Sequence, residues 1–143
     1  MRPTDIAEQV EALAGCGDDF GARAYELTDA WSAAGAALEA VEPVLRFMEN
    51  HPSIDFGSPG PLVHFVERFN GPAYVDALVA SIRRRPTAHT AWMLNRAING
   101  AENAEARRAL IETMKQAREH PLADEAAVAE LTDFLEHQSK AVG

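Results

Sequence analysis

Cysteine occurs once in these 143 residues, at position 16, so no disulfide can form within the chain and a four-cysteine zinc site is excluded. Val, Ile and Thr are sparse and no alternating apolar and polar run of five or more residues stands out, which leaves little from which to build strands. No apolar stretch approaches the roughly 18 residues that a bilayer span needs. At the N-terminus Asp5, Glu8 and Glu11 break up any signal-peptide core, and a reducing cytoplasm is the expected setting. Basic residues are also in short supply. Thirteen Lys and Arg face 22 Asp and Glu, giving a formal net charge of −9 and a pI near 4.9. Phosphate would be repelled over most of such a surface, which argues against general nucleic-acid binding, whereas a basic partner would be attracted. Residues 1–60 hold eleven acids against three bases, 61–101 two against five, and the remainder nine against five. Negative charge is thus concentrated before and after a central, mildly basic stretch.

Sequence patterns that carry chemistry are missing as well. The histidines at 51, 64, 89, 120 and 137 include no pair at i, i+4 and no His-Glu-x-x-His, so the helical zinc geometry is lacking. Asp55-Phe56-Gly57 matches the metal-binding tripeptide of kinases, but the glycine-rich loop, strand lysine and His-Arg-Asp block are absent. Its glycine is better read as permitting a turn and its phenylalanine as filling the core. No Gly-x-Ser-x-Gly elbow and no Walker loop occurs, and Cys16 lies between two glycines far in sequence from any histidine. Catalytic, cofactor-binding and metal-ligating residues are therefore expected to be none.

What remains is helical. Alanine makes up much of the 47% hydrophobic content and is a strong helix former. Leu62, Phe65, Val66 and Phe69 fall at i, i+3, i+4 and i+7 of a helix opening at Pro61, and Val75, Leu78, Val79 and Ile82 repeat that spacing after Pro72. Both prolines suit the first helical position, where the missing N–H would have had no intrahelical partner. The first of these helices is entered through a Ser58-Pro59-Gly60-Pro61 corner.

Reading from the start, Thr4 is expected to cap a helix with Ile6, Val10 and Leu13 inward, closing at Gly15-Cys16-Gly17. Asp18 or Asp19 caps a second, running through Tyr25, Trp31 and Leu38, although Gly21 and Gly35 weaken an unbroken rod. Pro43 demands either a kink or a fresh start, before Val44, Leu45, Phe47 and Met48 form the apolar side of a short helix ending about Asn50. Past the basic Arg83-Arg84-Arg85 end of the Pro72 helix, Thr87 caps a helix carrying Ala91, Leu94 and Ile98. Asn103 caps one carrying Leu110, Ile111 and Met114. The last begins near Asp124 with Ala127, Val128, Leu131 and Leu135. The expected fold is all-α: one domain over residues 1–143, a compact bundle or short HEAT-like stack of about seven antiparallel helices.

Two blocks resemble something known. Asp55-Phe56-Gly57-Ser58-Pro59-Gly60-Pro61-Leu62 and Pro86-Thr87-Ala88-His89-Thr90-Ala91-Trp92-Met93-Leu94-Asn95-Arg96 are similar to the signature blocks of an all-helical family of bacterial immunity proteins. That family protects cells from polymorphic or contact-dependent-inhibition toxins, and the similarity runs from about Trp31 to Asn99, roughly half of the chain. The resemblance implies an antitoxin that binds the C-terminal toxin domain of a cognate protein, often a nuclease such as an EndoU-type ribonuclease, without catalysis. No nucleic acid, membrane or cofactor is implied as a partner.

Candidate partner-facing residues follow from charge and from the central blocks. An acidic inhibitor would imitate the substrate of a basic nuclease groove, which makes Asp18, Asp19, Glu39, Glu42, Glu49 and Asp55 candidates. His89, Trp92 and Arg96 share one flank of their helix, with Asn95 and Asn99 adjoining, and Trp and Arg are favoured interface anchors. Trp92 as a core residue and Asn95 bonded to a neighbouring helix backbone is the alternative for that cluster. For the chain as a whole the alternative is a helical-repeat scaffold or adaptor for another protein.

Overall fold

Proline takes the first position of three helices, at 3, 61 and 72, and these starts set much of the helix layout. In the computed structural model, which describes residues 2–57 and 60–142, the chain is all-α, with eight helices and no strand among the described residues. They are α1 (Pro3–Glu11), α2 (Phe20–Ala33), α3 (Val41–Asn50), α4 (Pro61–Glu67), α5 (Pro72–Arg84), α6 (Ala88–Asn99), α7 (Ala104–Arg118) and α8 (Glu125–Val142). The chain divides into two compact units, Met1–Ala77 and Leu78–Gly143.

In the first unit α1 packs on α3, α2 on α4, and α3 on α4. Pro3, not Thr4, opens α1, because its fixed φ and missing N–H suit the first helical turn. Ile6, Val10 and Leu13 are buried as expected. The second helix is shorter than its apolar residues suggested. Gly35, at φ 78°, takes the left-handed closing position. The Ala36 N–H then donates to the Trp31 carbonyl at 2.9 Å and the Gly35 N–H to the Ser32 carbonyl at 3.1 Å. Leu38 therefore lies beyond α2 and is 43% exposed. Tyr25 is likewise exposed, since the buried stripe of α2 is Phe20, Ala24, Thr28 and Trp31 and Tyr25 sits about 100° from it. Pro43 marks a fresh start: it falls in the first turn of α3, where its lost donor has no partner to forfeit. That restart makes eight helices instead of seven.

Phe20, Phe47 and Phe56 form the aromatic centre of this unit. Phe56 lies 5.7 Å from each of the other two rings, tilted or edge-on. Trp31 is fully buried against Phe65, and its indole N–H donates to Gln9 Oε1 at 2.7 Å. Asp55 accepts the Gly57 N–H at 2.9 Å, forming the turn that delivers Phe56 to the core. Of the Ser58 to Pro61 corner, Ser58 and Pro59 lie outside the described residues. Gly60 caps α4 at φ 86°, and its Cα faces the Phe56 carbonyl so closely that a Cβ would stand 1.7 Å from that oxygen.

In the second unit α6, α7 and α8 each pack against the other two. Thr87 and Thr90 form a buried capping box, Thr90 N–H to Thr87 Oγ1 at 3.1 Å and Thr87 N–H to Thr90 Oγ1 at 3.0 Å. Asn103 and Asp124 cap α7 and α8 through bonds of 2.8 Å each. Ala91, Leu94, Ile98, Leu110, Met114, Ala127, Leu131 and Leu135 are buried, whereas Ile111 and Val128 are half-buried at the edges of their stripes. On α5 the buried line is Tyr74, Leu78, Ser81 and Ile82, and Val75 and Val79 flank it half-buried. His120 accepts the Leu122 N–H on Nδ1 at 3.0 Å. Its proton is therefore on Nε2, donated to the Arg83 carbonyl at 2.8 Å near the end of α5.

Candidate functional site

The exit of the chain from α2 leads along one side of an open groove in the first unit. After Gly35 a single 3₁₀ turn, Leu38–Ala40, leads into α3. The Glu39 carboxylate closes this turn by accepting the Ala37 N–H at 3.0 Å. That bond, helped by the residue's own backbone N–H and opposed by slight desolvation, holds its pKa below the ordinary 4.5. One turn on, Glu42 receives the Arg46 guanidinium at 2.8 to 2.9 Å in an exposed i, i+4 pair. From the opposite side Glu11, at the end of α1, accepts His51 Nε2–H at 2.6 Å, just past the end of α3.

These residues border an open groove of about 670 Å³. Buried Val10, Val41 and Phe47 contribute to its lining together with Ala73 and Ala77 of α5, and Leu38 lies exposed along it. Its charged lining is Glu11, Glu39, Glu42 and Arg46. Apolar contact beside carboxylates suits the binding of a partner group that is itself part alkyl and part cation.

The expected partner-facing acids divide into four groups. Glu39 and Glu42 come together in the groove. Asp18 and Asp19 are exposed in the 3₁₀ turn Gly17–Asp19 before α2 and do not line it. Asp55 is exposed but engaged in the Gly57 turn. Glu49 is corrected: at 6% exposure it lies inside the packed face of α3, beside Met48 and Leu45, and is not a surface acid. Its position one residue after two core residues left its orientation open in the sequence.

His89, Trp92 and Arg96 do share one flank of α6. The His89 and Trp92 rings lie 6.4 Å apart, and Arg96 is exposed one turn on. Trp92 is half-buried, its indole N–H donating to Glu130 Oε2 of α8 at 3.0 Å. Asn95 and Asn99 bond a neighbouring helix, but through a side chain and not through backbone: Gln138 Nε2 donates to Asn95 Oδ1 at 2.8 Å and Asn99 Oδ1 at 2.9 Å. Gln138, only 2% exposed, accepts in turn from Arg107. Glu130, Gln138 and Arg107 had no signal in sequence, because partners about 31 to 43 residues apart meet only when α6, α7 and α8 pack. Leu38 and Glu11 were missed as groove residues. Gly35 was the available clue to the first.

Among the described residues, no group of three or more His, Cys, Asp and Glu is arranged to hold a metal ion, and no helix is long and apolar enough to cross a membrane. Comparison with protein-family models, curated proteins and solved structures yields no match.

Proposed function

We propose that this chain is an immunity protein, a cytoplasmic antitoxin that binds a cognate bacterial toxin, of the nuclease type, and blocks its substrate groove without catalysis of its own. The observation that carries this reading is the partition of charge. Residues 1–77 hold thirteen acids and four bases, whereas residues 78–143 hold nine of each. The entire excess of −9 therefore belongs to the first unit. A nuclease must hold polyanionic substrate on a basic surface, and a compact acidic body meets that surface with complementary charge, raising the association rate and competing with substrate. The resemblance of the Asp55 to Leu62 and Pro86 to Arg96 blocks to the immunity family supplies the biological role.

The test is co-purification with the product of the gene immediately upstream, followed by a nuclease assay of that product with and without this protein. Stoichiometric complex formation and loss of nuclease activity are expected, with an association rate that falls steeply as salt is raised. An upstream product that neither binds nor is inhibited would overturn the reading.

A further inference from the structure

We propose that the groove bordered by α1, the Leu38–Ala40 turn and α3 is the docking site for an arginine- or lysine-bearing segment of a basic protein partner. The identity of that partner as a toxin rests on the function proposed above; the chemistry of the groove does not.

Three observations converge on this surface. Leu38 is one of three large apolar side chains left exposed among the described residues, with Tyr25 and Leu122, and of these it alone lines the groove. The expulsion of Leu38 from α2 by the Gly35 stop places an uncovered alkyl group beside the buried Val41 and Phe47. Next, the groove's charges are three carboxylates against one guanidinium, in the unit that holds all of the net charge. A cationic head on a long alkyl stem satisfies both features at once, the stem lying on the apolar lining and the head reaching the carboxylates. An anionic or carboxylate-rich occupant would be repelled, and a second copy of this chain would bring a first unit of the same sign against it. Finally, the walls are held in place before any partner arrives: α1 and α3 pack together, and the Glu11–His51 bond of 2.6 Å ties their ends. Preorganised walls lose little entropy on binding.

The test uses the full-length protein, ¹⁵N-labelled, titrated with the peptide acetyl-Ala-Arg-Leu-Leu-Arg-Ala-amide and with its counterpart carrying glutamate in place of both arginines. Amides of Ala7, Leu38, Glu42 and Ala77 should shift with the cationic peptide alone. Leu38→Ala and Glu42→Lys should each weaken binding about tenfold, the loss usual for a central interface contact. Ala7→Trp, on an exposed groove position, should block it. Asp29→Lys makes the same charge change as Glu42→Lys on exposed α2 surface outside the groove and should weaken binding no more than about threefold, the share owed to long-range attraction alone. Shifts scattered over the acidic surface, equal weakening by Asp29→Lys, or a doubling of mass in light scattering with the groove occupied would overturn the proposal.

The same variants assayed against the upstream nuclease separate the two readings. Loss of neutralisation in Leu38→Ala, Glu42→Lys and Ala7→Trp but not in Asp29→Lys supports both. Neutralisation kept by every variant overturns the groove and leaves the antitoxin standing. No neutralisation by the unaltered protein, with peptide binding intact, overturns the antitoxin and leaves the groove.

Discussion

Gly60 shows how a single position can be intolerant for a reason its neighbours do not share. Its φ of 86° lies where side chains are strained, and the obstacle 1.7 Å from a Cβ is the Phe56 carbonyl oxygen, a backbone atom unable to swing aside. Gly60→Ala is expected to cost at least about 2 kcal/mol in urea unfolding, since strain and clash act together. Gly21→Ala, in the first turn of α2 with nothing within 4 Å, should instead stabilise by about 0.5 kcal/mol through reduced backbone freedom of the unfolded chain. Glu39 offers a residue-scale pH test. Folding lowers its pKa, so its contribution to stability is complete above the ordinary 4.5 and is lost as pH falls through the lower folded value. Glu39→Gln should therefore lessen the decline of stability with acid in the window below about 4.5, read by thermal melts across pH. A decline identical in the two proteins would mean that the Ala37 bond does not discriminate between the charged and neutral forms.

At the scale of the element, the caps of the second unit were readable because they are local. Thr87, Asn103 and Asp124 each bond a backbone N–H three residues on, and that spacing is written in the chain. Thr87 and Thr90 are also fully buried, so removing one hydroxyl leaves the other box member short of a partner. Thr87→Ala is expected to cost about 1 to 2 kcal/mol, at the upper end for a cap. The tie between α8 and α6 is of another kind. Gln138 spends both amide hydrogens on Asn95 and Asn99 and its oxygen on Arg107, so one buried side chain joins three helices. Gln138→Leu should destabilise by about 1 to 3 kcal/mol, less if water reaches the half-buried Asn95 and the exposed Asn99. A double-mutant cycle with Asn95→Ala measures their coupling, and additive losses would show that the pair acts independently.

For the whole molecule, charge is the property that matters most to the proposed role. Long-range steering depends on net charge and little on which acids supply it, whereas docking depends on position. Asp18 and Asp19 are exposed and stand apart from the groove. Replacing both by asparagine should slow association with a basic partner about threefold at low salt while leaving dissociation unchanged. Stopped-flow and surface-binding measurements of the two rates would decide it, and an altered off-rate would place these residues inside the interface.

The sequence by itself determined the helical class, most helix starts and the greater part of the core, because capping, proline placement and 3.6-residue periodicity are local consequences of residue order. Leu94, Ile98, Met114 and Leu131 are buried where that periodicity puts them. It also determined how much negative charge the chain carries. Only the tertiary structure decided where the exceptions fall. Leu38 joins an exposed groove because Gly35 ends α2 early, Glu49 turns inward with the packed face of α3, and Asn95 finds Gln138 across 43 residues. Each of these outcomes depends on which surfaces meet after the helices have formed, and contacts between distant segments leave no periodic trace in the chain.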